Sequence, residues 1–291
     1  MHPLALLAAP LLLVCALAAQ ADASPPCPVN DIADDPHGVG VVRDKAESGD
    51  LCAQFNLGYY HYTHQSYEAA ERMYALAADQ GNARAAFEIA MMYRDNLLED
   101  NAGQRRQWLE KSAALGADLA QIELGIDHWE QRENNDQLYQ AMHWFEQAAI
   151  QGNTQGQYLL GEGYWVDRGI EGFAADDQLA IRYGGNDELG AYWVCKAAEQ
   201  GNADAQFAIS EAYSIGRGVP ASSIQRHLWL TKAGENGHEE ALTWLDESGT
   251  AWYTRLETWA KRQMSDEVAT CPALPSKQES DEAGLTAIEA S

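Results

Sequence analysis

Positive charge is scarce in this sequence. Its 291 residues carry 19 Lys and Arg against 44 Asp and Glu, a formal net charge of −25. Such a surface repels phosphates, which speaks against a nucleic-acid partner and against anionic lipid headgroups. A basic protein surface would instead be steered toward it. Long apolar runs are equally scarce. The one that stands out, LALLAAPLLLVCALA over residues 4–18, is shorter than the ~20 residues that a membrane span needs. Catalytic signatures are missing too: there is no Ser-containing nucleophile elbow, no phosphate loop and no zinc-type cysteine pair. His61 and His64 could share a helix face, but a metal site would need further ligands. The chain is therefore expected to be no enzyme, with neither cofactor nor metal.

The apolar run has another use. It is followed by two small-x-small sites, Ala19-Gln20-Ala21 and Ala21-Asp22-Ala23, which fits a secretory signal peptide over 1–23. Val14 stands where a lipoprotein signal at Cys15 would want a small residue. Cleavage removes one acid, Asp22, and leaves 19 bases against 43 acids. It also leaves four cysteines, Cys27, Cys52, Cys195 and Cys271. An even number in an oxidising compartment implies two bridges, with three connectivities open.

What the sequence does contain is repetition. AQFNLG (53–58), AAFEIA (85–90), AQIELG (120–125), GQYLLG (156–161) and AQFAIS (205–210) form one series. AERMYALAADQG (70–81), RRQWLEKSAALG (105–116), AMHWFEQAAIQG (141–152), AYWVCKAAEQG (191–201) and RHLWLTKAGENG (226–237) form a second, alternating with the first. Each closing glycine lies four residues before the next first-series segment, as Gly81 does before Ala85 and Gly201 before Ala205. The other spacing drifts: Ala53 to Gly81, Ala85 to Gly116, Ala120 to Gly152, Gly156 to Gly201 and Ala205 to Gly237 span 28, 31, 32, 45 and 32 residues.

Both series have helical periodicity. In the first, a small residue and an aliphatic one four places on share a face, and the sixth position (Gly58, Ala90, Gly125, Gly161, Ser210) is small enough to admit a neighbouring helix. In the second, a small pair precedes a glycine able to stop the helix in the left-handed conformation. One such hairpin cannot bury its apolar face, but a stack can.

AQFNLGYYH, AQFAISEAYSIGRGV and YWVCKAAEQGNADAQ resemble Sel1-like repeats, relatives of tetratricopeptide repeats, over roughly 45–250. The resemblance implies an all-α, α/α superhelical solenoid of about five to six hairpins. The expected layout is a signal peptide (1–23), an N-terminal cap (24–44), repeats (45–250), a C-terminal capping helix (251–270) and an acidic, disordered tail (271–291). Two departures stand out: the first two units lack the usual Gly-x-Gly between helices, and the fourth carries an insertion at 166–190.

The family resemblance also implies a class of role. Sel1-like proteins are mostly adaptors and inhibitors that bind other proteins, and exported bacterial examples include host-interaction factors, envelope regulators and immunity proteins against type VI secretion effectors. The expectation is a periplasmic protein that neutralises a basic effector, such as a lipase or phospholipase, by occlusion; the alternative is an envelope adaptor. β-Lactam binding is a distant third, because relatives linked to it carry paired cysteines within each unit and these are scattered.

In such solenoids the first helix of each hairpin lines the concave surface. Counting from the packed aliphatic residue, the groove set is Tyr59 and Tyr62, Met91 and Arg94, Ile126 and Trp129, Glu162 and Trp165, and Glu211 with Ser214. Aromatic and Arg side chains of this kind suit interface hot spots. The insertion adds the acids Asp167, Asp176 and Asp177 as loop contacts. Phe55, Phe87, Tyr158 and Phe207 belong to the repeat and are assigned to the core. Cys195 aligns with Ala75, Glu110, Glu146 and Thr231, a mixed set that places it at the surface, and Cys52 aligns with Arg84, Leu119, Gln155 and Asp204. Each is thus free to meet a terminal cysteine, giving Cys27–Cys52 and Cys195–Cys271.

Overall fold

A computed structural model describes residues 27, 36–99, 103–131, 135–166, 183, 185–247 and 269–273. Among the described residues there are twelve helices and no strand. The chain divides into two compact units, Met1–Ala117 and Asp118–Ser291. The first holds α1 (Pro36–Glu47), α2 (Leu51–Thr63), α3 (Tyr67–Asp79), α4 (Ala83–Arg94) and α5 (Gln104–Ala114). The second holds α6 (Asp118–Glu130), α7 (Asn135–Ile150), α8 (Thr154–Trp165), α9 (Asp187–Glu199), α10 (Ala203–Ile215), α11 (Ser223–Glu235) and α12 (Glu239–Glu247). Within each unit every helix packs on its neighbours in the sequence. This is the all-α hairpin array, of the α/α solenoid class, that the two alternating series imply.

The invariant four-residue spacing has a physical cause. All six closing glycines have φ between +86° and +96°, a conformation that side chains with a Cβ rarely adopt. After α9, Gly201 N donates to Ala198 O (3.1 Å) and Asn202 N to Ala197 O (3.2 Å), closing the last turn. The Asn202 side chain then accepts from Ala205 N at 2.8 Å and caps α10. Asp50, Asn82 and Asn153 cap α2, α4 and α8 in the same way. At these four joints one residue therefore ends a helix and starts the next, so an insertion or deletion there would separate the two tasks.

Packing repeats as well. A Cβ on Gly58 would lie 2.6 Å from Cδ1 of Tyr74, and one on Gly161 would lie 2.6 Å from Cγ2 of Val194 and 2.8 Å from its backbone nitrogen. The sixth position is small because the second helix of the hairpin rests against it. A buried glutamine adds a polar link. Gln54, Gln157 and Gln206 donate to the carbonyls of Ala46, Ala149 and Ala198 on the preceding helix. Their own carbonyls accept from Gln80, Gln200 and Asn236 at the end of the following one. Each glutamine thus joins three consecutive helices. Phe55 is core as expected, whereas Phe87, Tyr158 and Phe207 are only half-buried.

Both expected disulfides are present. Cys27–Cys52 closes 25 residues and Cys195–Cys271 closes 76. The placement of Cys195 at the surface is corrected: it is fully buried. A non-helical strap, residues 269–273, lies over it. Thr270 O accepts from Tyr213 Oη (2.9 Å) and Trp229 Nε1 (3.3 Å), and Thr270 N donates to Gln225 Oε1 (2.9 Å). Thus Ala269 and Thr270 are not helical, and residues 271–273 belong to this strap rather than to a loose tail. Residues 1–26 and 251–268, with the signal peptide and most of the capping helix, lie outside the described residues.

Gly161→Ala replaces a poor helix former by the best one, a gain of ~1 kcal/mol on propensity alone. We expect the opposite sign, a loss of about 1–3 kcal/mol from overpacking, read from urea unfolding. Cys271→Ser should cost ~2–4 kcal/mol, with a change in Trp229 fluorescence as the strap loses its tether; an unchanged unfolding midpoint would contradict this account.

Candidate partner-binding site

The groove set falls on α2, α4, α6, α8 and α10, but its members differ in exposure. In the first unit, Tyr62 is 37 % exposed and touches Tyr67 edge-on, Tyr59 is half-buried against the core, Met91 is half-buried, and Arg94 is exposed and pairs with Asp95 at 3.0 Å. In the second unit, Ile126 and Trp129 are half-buried on α6, with Trp129 6.2 Å from the Phe145 ring. Asp167, Asp176 and Asp177 lie outside the described residues. Of the insertion, Tyr183 is buried and donates to Glu146 Oε2 at 2.8 Å, so part of the added length is packed.

Trp165 requires a correction. It is only 7 % exposed, not an open aromatic anchor. Its Nε1 donates to Asp187 O at 3.1 Å, and the ring sits against Gly190, where no Cβ could be accommodated. Its role is to fix α8 to α9.

Glu162, Trp165 and Glu211 do converge. They line a recess of about 230 Å³ with Ala208, Ile215 and Arg217. Arg217 was not anticipated. It stands between Gly216 and Gly218 in SIGRGV, the single unit among those quoted with the Gly-x-Gly turn after its first helix, and that turn was the available signal. The backbone at Gly218 passes so close to Asp187 O that a side chain would clash. Arg217 Nε binds Asp187 Oδ1 at 2.8 Å, its Nη2 donates to Trp165 O, and its guanidinium lies 5.5 Å from the Trp165 ring. Arg226 pairs with Glu211 at 3.5 Å.

Glu162 is left over. Its carboxylate makes no hydrogen bond or ion pair among the described residues, and burial raises its pKa above the ordinary carboxylate range, with Arg217 opposing. Burial, then the charges of Glu162 and Asp204, push the neighbouring Tyr158 hydroxyl up to about 12. A carboxyl with a raised folded-state pKa favours the folded protein below its unfolded value, and that benefit is lost as pH rises through the folded value. Glu162→Gln should therefore raise Tm at neutral pH, and the difference should shrink as pH falls through the carboxylate range. A lower Tm at neutral pH would show that Glu162 is compensated.

Among the described residues no three His, Cys, Asp or Glu side chains converge as a metal site, and no helix is long and apolar enough to cross a membrane. The second unit of this helical-hairpin array thus presents a recess lined by two acids, Glu162 and Glu211, and by Trp165. The Sel1 repeat family model matches residues 53–82, 101–116, 119–153, 154–183, 184–202 and 203–238, and the chain belongs to that family. It is similar to a protective antigen of uropathogenic Escherichia coli strains that displays an SLR fold, with 25% identity and a TM-score of 0.58, over 82% of this chain and 53% of that one. It is also similar to a Sel1 repeat protein of Oxalobacter formigenes, with 29% identity and a TM-score of 0.55, over 73% of this chain and 60% of that one. The chain thus spans about half the length of the first and three-fifths of the second. No curated protein matches it.

Proposed function

We propose that this protein is exported to the periplasm and neutralises a basic protein by holding it against the first helices of its second-unit hairpins, α6, α8 and α10, most concretely as an immunity protein against a type VI secretion effector. The carrying observation is Glu162 in the recess, a carboxylate without an ion pair among the described residues, in a chain with net charge −25. Two disulfides and the apolar leader at 4–18 support export, since such bridges persist in oxidising compartments. Inhibition then needs no chemistry: a partner covered over its working surface is inactive, and the acidic field speeds its capture.

Deleting the gene should leave cells open to intoxication by their siblings, with protection restored by the intact chain. An envelope or signalling defect without intoxication would instead make the protein an adaptor. With the captured partner in hand, Trp129→Ala should shorten the lifetime of the complex about tenfold, as loss of an aromatic anchor does. Asp176→Asn with Asp177→Asn should slow association chiefly at low salt.

A further inference from the structure

We propose that the recess between α8 and α10 is a socket for one lysine or arginine side chain of a protein partner, with Glu162 as its counter-ion. The proposal deepens the partner-binding reading above and rests on it. Three observations in the second unit carry it. The first is charge. The recess is lined by two carboxylates, and the cations beside it are engaged: Arg217 by Asp187 and the Trp165 carbonyl, Arg226 by Glu211. One carboxylate, that of Glu162, has no hydrogen bond or ion pair among the described residues, and Arg217 across the recess offsets its charge only in part. The second is shape. About 230 Å³ is room for a single long side chain, not for a folded element. The third is the wall. Ile215 is 73 % exposed at the mouth, the most exposed of the large apolar side chains among the described residues, and Ala208 and Ala212 line the recess from the same helix.

A lysine or arginine matches all three. Its methylenes can cover Ile215 while its head reaches the carboxylate. An apolar side chain would deepen the desolvation of Glu162 without compensating it, and an acidic one would add repulsion. Stability points the same way: a half-buried carboxylate without a partner burdens the folded protein, and a bound cation removes that burden. Arg217, held away by Asp187, keeps the opening from closing on an internal ion pair.

The test uses the full chain and defined peptides, acetyl-Gly-Gly-X-Gly-Gly-amide with X as Lys, Arg, norleucine or Glu. Binding is followed by NMR at the Trp165 indole N–H and the Ile215 methyl groups. Lys and Arg peptides should give saturable shifts at both positions, while norleucine and Glu peptides give none. Glu162→Gln should weaken the cationic peptides about tenfold, the scale of one lost charge-assisted contact, while its Tm at neutral pH is not lowered. Ile215→Ala should weaken them less and equally for Lys and Arg. The proposal is overturned if norleucine binds as well as lysine, if Glu162→Gln keeps wild-type affinity, or if neither cationic peptide saturates by about 10 mM, the weak limit for a single contact. Cationic peptides that bind in a protein whose deletion causes no intoxication would sustain the socket and remove the immunity reading. Protection without peptide binding would do the reverse.

Discussion

The two-residue joint, a left-handed glycine followed at Gly49, Gly81, Gly152 and Gly201 by a capping Asp or Asn, is the constraint from which the rest of the structure follows. A left-handed glycine stops one helix, and the next residue both closes that stop with its backbone N–H and caps the following helix with its side chain. Since the same residue serves two helices, the angle between them is set locally. The small sixth position and the three-way glutamine then fall at fixed distances from that joint. The second joint, between the helices of one hairpin, has no such dual-purpose residue, and its length is correspondingly free.

That freedom is where the individual features of this chain lie. The fourth unit inserts residues between α8 and α9, and Trp165 turns inward to hold the pair together across the gap. The fifth uses a Gly-x-Gly turn to bring Arg217 back onto Trp165 and Asp187. Both departures border the same recess. The regular parts of the array set the spacing of α8 and α10; the irregular parts determine which charges face the space between them.

Periodic features were legible in the sequence because each is written several times. The helices, the closing glycines and the close approach at Gly58 and Gly161 could all be read from alignment of the chain with itself. The cysteine pairing followed from the same alignment, but the burial of Cys195 did not, since the strap that covers it comes some 75 residues later and has no repeat counterpart. Trp165 lines the recess, but its burial escaped the sequence for a related reason. Its groove position was inferred from the regular units, while its surroundings are set by the insertion and by Gly190. The Arg217 clamp depends on a single turn, where self-comparison has nothing to average. The buried glutamines were in plain view in AQF, AQI and GQY; what hid them is that a polar residue on a helix reads as solvated until its partners on two other helices are known.

The Cys195–Cys271 bridge also determines how the chain would bear a load. A pull applied beyond Cys271 enters the backbone at Cys195, because the covalent crosslink bypasses everything between the two residues. Likewise a pull ahead of Cys27 enters at Cys52. The last hairpins would thus carry no tension while the bridges hold, and only the stretch from 52 to 195 could be drawn out. A reducing agent would change the contour length available to a stretching force by the sequence separations the bridges span, 76 at one end and 25 at the other.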